Sequence, residues 1–283
     1  MSQILGVVGG SGIYQMLGLE SIEEHAIDTP YGQPSDCIVS GTLGHTRLLF
    51  LPRHGRHHQL APHEINYRAN VCAMKKLGAT ALISLAAVGS MREDIRPGDV
   101  VIVDQYLDWT RRRVSTFFED GVVAHVSLAN PVCPLLAGAA AAAAERAGAR
   151  VHHGGTYLCI DGPQFSTRAE SLLYRSWGVS VIGMTAMPEA KLAREAQLPY
   201  CTVAFSTDYD CWHETEEVVS VSAVLAVLKH NGELAQRTLV ELAHTLPDTT
   251  SSPATAALKN SLITRLENVT PEAHQRMAWL LHG

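Results

Sequence analysis

The sequence predicts a single-domain α/β fold with a β-sheet layered by helices. Three observations predict it. Short apolar runs recur along the chain, segments with helical spacing separate several of them, and a Gly-rich turn follows directly on the first run. With 283 residues, 46% hydrophobic and 18% charged, the chain is long enough to bury a sizeable core and too apolar for disorder.

The first run, Ile4–Val8, ends in Gly9-Gly10-Ser11-Gly12 and reads as a buried strand entering a tight turn. Leu48–Leu51, Ala81–Leu85, Val100–Val103, Val179–Ile182 and Tyr200–Phe205 read the same way. Helices are expected over Ile65–Leu77, over the alanine-rich Leu135–Ala147 behind Pro134, over Ala186–Ala196, and over the amphipathic Val221–Leu242. Leu246–Thr255 is the linker-like stretch. It divides a main domain, 1–245, from a tail, 246–283, that would hold one or two helices broken near Thr270-Pro271 and pack on the same domain.

A net charge of −6 argues against a protein devoted to nucleic acid or an anionic membrane. The six cysteines, at 37, 72, 133, 159, 201 and 211, form no C-x-x-C pair and read as reduced thiols of a cytoplasmic protein. The first residues carry neither a basic leader nor a long apolar run, so no signal peptide or membrane span is expected.

Residues 51–70, LPRHGRHHQLAPHEINYRAN, crowd four histidines and three arginines together. Four readings compete. His54 and His58 are spaced for a metal, but Gly55 lies between them and arginines flank the first of them, which disfavours a dication. A nucleic-acid patch would be more extended, and an idle solvated loop is the plain alternative. The fourth reading is an oxyanion cradle, with Arg53 gripping bidentately, His54 donating a ring N–H, and the turn at 9–12 adding backbone donors and the Ser11 hydroxyl. That turn alone is weak support, because it is neither a full G-x-G-x-x-G nor a Walker A loop.

Eight stretches together narrow the choice. They are VVGGSGIY (7–14), DTPYGQPSD (28–36), RHGRHH (53–58), INYRAN (65–70), AAVGSMREDIRPGDVVIVDQ (86–105), DGPQFSTRAE (161–170), GMTAMPEA (183–190) and STDYDCW (206–212). In this order they resemble the nucleoside phosphorylase superfamily, specifically the trimeric S-methyl-5′-thioadenosine phosphorylases. The resemblance implies one α/β domain on a mixed, partly barrel-like sheet. It implies a homotrimer with sites at subunit interfaces, and no metal or organic cofactor, phosphate being a substrate. The reaction implied is attack of phosphate on the anomeric carbon of a purine thionucleoside, releasing adenine.

Carried over by position, the resemblance makes Ser11, Arg53, His54 and Thr185 phosphate contacts, with the backbone at Ala87 as a further donor. Family members from eukaryotes carry Thr where this chain has Ala86, so one hydroxyl donor is missing. Asp208 would hydrogen-bond purine N7 and must therefore hold a proton, its carboxyl pushed up by burial under Phe165 and Met184. Asp210 and Thr207 would position it or accept from the exocyclic amine, so Asp208 and Asp210 form the catalytic pair. Phe165 would stack on the base, and Met184 and Ile182 would line the substrate site. Val221 and Val224 would form an apolar 5′ pocket, with His58 nearby and His125 reaching in from a neighbouring subunit. Seen alone, Met184, Phe165 and both valines would pass as core. Two carboxylates suit a 6-amino purine, whereas relatives that cleave 6-oxopurines carry Asn. A 6-oxopurine or methylthioinosine phosphorylase is the second reading, and a non-catalytic nucleoside-binding scaffold the third.

Overall fold

The computed structural model describes residues 3–10, 18–213 and 221–281, with the side chains of 221–226 outside the description. Four apolar runs form its centre: β1 (Ile4–Gly9), β4 (Thr46–Pro52), β5 (Ala81–Ser90) and β11 (Tyr200–Asp208). β1 pairs in parallel with β4 and with β5, and β11 pairs in parallel with β5. β2 (Glu20–His25) and β3 (Ile38–Leu43) extend this sheet antiparallel beyond β4. β5 is long enough to fork the sheet. Its first half carries β1, and its end at Gly89 and Ser90 carries β10 (Val181–Gly183), which leads on to β9 (Thr156–Ile160) and the edge strand β7 (Gln105–Trp109). On the side of β11, β6 (Val100–Ile102) and β8 (Val151–His153) complete the eleven strands. The sheet is mixed and branched.

Central strands read as continuous apolar runs because both faces are covered. Val8, Leu49, Leu51, Leu82 and Ala204 face one core, and Val7, Leu48, Phe50, Ile83 and Val203 face the other, with the two-residue period of a strand. The first core is closed by α1 (Tyr67–Lys76) and α4 (Ala186–Glu195), the second by α2 (Pro134–Arg146) and α5 (Val221–His244). Buried Ala140, Ala141, Ala143 and Ala144 give α2 a smooth face, which explains its alanine run.

The sequence did not announce β2, β3, β7, β8, β9 or α3 (Arg168–Ser176). The stretch read as a linker, Leu246–Thr255, is anchored. Thr249, Ser252 and Ala254 are buried, and a 3₁₀ turn occupies Pro253–Ala256. Beyond it, α6 (Pro271–Leu281) inserts Ala273, Met277 and Leu280 into the first core. Trp279 meets the rings of Phe117 at 5.0 Å and Tyr31 at 6.2 Å, and Arg276 pairs with Asp120.

Candidate active site

Parallel strands point their carboxyl ends to one side of a sheet, and the loops that leave those ends are where α/β folds place ligands. Here β1 ends at Gly9, β4 hands over to Arg53 and His54, β5 ends near Gly89, and β11 ends at Asp208. The Arg53 N–H donates to the Gly9 carbonyl at 2.8 Å, which ties the first two exits together.

Arg53 is 2% exposed, and its guanidinium is engaged from below. Nε donates to Glu189 Oε2 at 3.0 Å. Nη2 donates to Ser84 Oγ at 2.6 Å, to Val8 O at 3.3 Å and to Glu189 Oε1 at 3.4 Å. Nη1 makes a single long bond, 3.5 Å, to Leu85 O. The expected bidentate grip on an anion is therefore corrected: Glu189 holds that edge of the fork, and Nη1 is the corner with donor capacity to spare. Glu189 also accepts from Tyr200 OH at 3.0 Å, beginning a chain through Thr202 to Tyr106. Burial works against the Arg53 charge, but the Glu189 carboxylate outweighs it and holds the guanidinium protonated. Ala86 lies two residues from Ser84 on the same face of β5, buried on the Arg53 side, whereas Ala87 is exposed.

His54 departs from expectation too. Its Nδ1 lies 2.8 Å from the Leu60 carbonyl, so that nitrogen carries the ring proton. Burial, then the Arg53 charge, lower its pKa to about 4. A neutral ring so fixed has no second N–H to give. His58, at φ 54°, is exposed and stacks on the His54 ring at 4.3 Å.

Thr185 is buried at the N-cap of α4, and its side chain makes no capping bond. The helix is broken at Met187 (φ −117°, ψ 134°), which leaves carbonyls without helical partners. Arg113 collects them. Its Nη1 donates to Met184 O at 2.7 Å, Met187 O at 2.5 Å and Tyr67 OH at 3.1 Å, and its Nη2 to Asp161 O at 2.8 Å and Ile160 O at 3.3 Å. Its side chain is 2% exposed. Sequence reasoning missed Arg113, since an arginine in an R-R-R run reads as a solvated charge.

At the end of β11 a bulge separates Ser206 from Asp208. Asp208 Oδ2 lies 2.6 Å from Thr207 Oγ1, and its Oδ1 accepts the Asp210 N–H at 2.8 Å. Asp210 accepts Ser171 Oγ at 2.5 Å and sits in the left-handed region, φ 53°, which Asp tolerates. Burial raises both carboxyls above 3.8, and the charge of Asp208 adds to the rise at Asp210. Gly89 was not singled out from the sequence, yet it permits this crowding. A Cβ there would stand 3.1 Å from Asp208 Oδ1, 3.2 Å from Ile182 Cγ2 and 3.4 Å from Asp210 Cβ.

Ile182 is buried beside the pair, and half-buried Met184 packs over Gly162, where a Cβ would meet its sulfur at 2.4 Å. Phe165 is 57% exposed, so the Asp208 burial does not come from a phenyl roof as expected. His125 is exposed on a segment whose N–H donates to Ser261 O at 2.8 Å, which puts it against the C-terminal region. Ser11 lies outside the described residues, as do the side chains of Val221 and Val224. Among the described residues no group of three or more His, Cys, Asp or Glu is placed to hold a metal ion.

A buried guanidinium after β4 and two buried carboxyls of raised pKa after β11, on strands that run parallel in one sheet, define a class of site, one suited to an anion and a weakly basic leaving group. The family model of the phosphorylase superfamily matches residues 4–244. A protein from Geobacter sulfurreducens named S-methyl-5′-thioadenosine phosphorylase is 52% identical, covering 98% of this chain and 97% of its own. One of the same name from Thermosynechococcus vestitus is 47% identical over 99% of both chains. The crystal structure of a methylthioadenosine phosphorylase from an antarctic soil metagenomic library superposes with a TM-score of 0.93 at 46% identity, covering 99% of this chain and 100% of that one. A Schistosoma mansoni methylthioadenosine phosphorylase in complex with adenine gives 0.84 at 34% identity, over 92% of this chain and 98% of that one. The chain belongs to the phosphorylase superfamily and, within it, to the S-methyl-5′-thioadenosine phosphorylase family.

Proposed function

We propose that the protein cleaves S-methyl-5′-thioadenosine with inorganic phosphate, giving adenine and 5-methylthio-ribose 1-phosphate. The observation that carries this reading is the pair of buried carboxyls, Asp208 and Asp210, packed at the strand end beside Gly89, where burial raises both above their ordinary range. The glycosidic C–N bond breaks, its electron pair goes to the purine, and the Asp208 proton goes to N7. Phosphate beneath the sugar stabilises the oxocarbenium character and then forms the new C–O bond. Arg53 Nη1, Thr185 and backbone N–H groups near Ala87, with Ser11 completing the turn, would hold the phosphate. Ile182, Met184, Phe165, Thr207, His58, Val221, Val224 and a neighbour's His125 would enclose the nucleoside. Asp210 in the position of an acceptor favours the 6-amino purine over the 6-oxo one. No metal or organic cofactor enters this scheme.

The same reading takes the protein as a homotrimer, and an apolar patch on the outer surface supports self-association. The edge strand β7 exposes Leu107 and Trp109, and Trp109 meets exposed Trp177 at 5.2 Å beside exposed Leu172 and Leu173. An edge of this kind calls for cover. Cytoplasmic residence suits the six unpaired thiols. No described helix is long and apolar enough to cross a membrane.

The test is adenine release from methylthioadenosine with and without phosphate, alongside methylthioinosine and adenosine, on protein whose mass in solution is measured. Phosphate-dependent release of adenine, fastest from methylthioadenosine, at about three times 30.6 kDa is expected. Binding without base release would refute the enzyme, and faster methylthioinosine turnover would refute the choice of base.

A further inference from the structure

His54 leaves β4 directly after Arg53, and Leu60 holds it by two hydrogen bonds, one to the ring and one to the backbone. Its Nδ1 donates to the Leu60 carbonyl at 2.8 Å, and the Leu60 N–H donates back to the His54 carbonyl at 3.1 Å. His58 lies flat against the ring, with 17° between the planes. A carbonyl oxygen can only accept, so the proton sits on Nδ1, and Nε2 of the neutral ring presents a lone pair. Burial first, then the charge of Arg53, act to keep the ring neutral, against the Leu60 hydrogen bond.

We infer that His54 meets the anion through Nε2 as a hydrogen-bond acceptor and selects oxyanions that carry a proton. This rests on the reading of Arg53 and His54 as the phosphate cradle. Hydrogen phosphate and hydrogen arsenate each bring one O–H, which would point at Nε2. Sulfate at neutral pH brings none, and its oxygen would stand against a lone pair. A site built to pair with a hydroxyl rejects the analogue that lacks it, because its own polar group is left unpaired. The loss of one hydrogen bond to a charged group corresponds to roughly 10- to 100-fold in affinity. Net charge cannot supply this discrimination, since hydrogen phosphate and sulfate are both dianions near pH 7.5.

Calorimetric titration of the full chain with phosphate, arsenate and sulfate at pH 7.5 tests the inference. Phosphate and arsenate should bind alike, and sulfate at least about 10-fold more weakly. Nitrogen NMR of the labelled histidines should show His54 protonated at Nδ1 and bare at Nε2. The Nε2 signal should shift with phosphate and hold still with sulfate. In His54→Gln, whose amide can donate, the preference should collapse to within about threefold. Sulfate binding as tight as phosphate, or an Nε2–H tautomer, would overturn the acceptor role, and these wild-type measurements decide it whether or not the variant folds. Phosphate-dependent turnover with equal anion affinities overturns this inference alone. Discrimination without turnover overturns the proposed activity alone. No binding of any of the three anions overturns the cradle and the inference with it.

Discussion

Replacing Glu189 by Gln keeps the shape of the side chain and removes its charge from a site 1% exposed. The Arg53 guanidinium is then left with Ser84 Oγ and the carbonyls of Val8 and Leu85, all neutral. One end of the new amide is an N–H donor and faces either Arg53 or Tyr200 OH, so at least one buried contact becomes donor against donor. Breaking a buried pair from one side costs about 3–5 kcal/mol. For a chain of 283 residues, unfolding entropy of about 2.1 cal/mol/K per residue amounts to about 0.6 kcal/mol/K. The expected fall in Tm is therefore about 5–8 °C. Scanning calorimetry reads it, and phosphate titration of the surviving activity should show a raised phosphate requirement. The double variant Arg53→Met/Glu189→Leu carries no buried charge and should recover most of the stability while failing to use phosphate. A Tm change under about 1 °C in Glu189→Gln would refute the view that this carboxylate balances Arg53.

Asp208→Asn should lower turnover by about 100-fold or more while the fold persists. Its stability has a signed pH dependence. Burial raises the folded Asp208 above 3.8, so its contribution is complete below pH 3.8 and is lost as pH rises through the raised value. Urea midpoints should therefore show wild type losing ground to Asp208→Asn between pH 3.5 and pH 7, at about constant m; the opposite trend would refute the burial. Arg113→Met strips the donors from the carbonyls of Ile160, Asp161, Met184 and Met187. It should cost about 2–4 kcal/mol and raise KM for the nucleoside while leaving the phosphate requirement unchanged. An unaltered nucleoside KM would refute its part in positioning Met184.

What could be read from the sequence follows burial. β1, β4, β5 and β11 are covered on both faces, so selection for apolar residues wrote them as uninterrupted runs. β2, ESIEEH, is exposed up to the half-buried His25, and β7, QYLDW, alternates between exposed and half-buried. Both are strands because a neighbour pairs with them, which composition does not record. α3 carried a usable signal, the capping box of Thr167 and Glu170, inside a stretch that also reads as a motif. For the candidate site, the sequence offers residues but not the bonds between them. Arg53 and Asp208 stand out in the chain, but Glu189 under the fork and the Leu60 carbonyl on His54 are tertiary facts, separated from the motif by 136 residues in one case and 6 in the other.

The two corrections at the cradle point the same way. An arginine and a histidine in adjacent positions suggest a site that attracts anions by positive charge. In the structure Glu189 neutralises Arg53, and His54 is itself neutral, so the cradle carries little net charge. On the proposed reading such a site would hold phosphate by directed donors, one spare guanidinium corner and backbone N–H groups, and would read the anion's own proton through Nε2. Directed bonds lose strength quickly when the geometry changes, whereas a Coulomb field does not. An anion consumed in each turnover benefits from the first kind of binding: once its oxygen is esterified to the sugar and shifted toward it, the donors no longer fit as well. The buried ion pair is thus better understood as the device that lets a guanidinium stay in the core with no anion present than as an electrostatic trap.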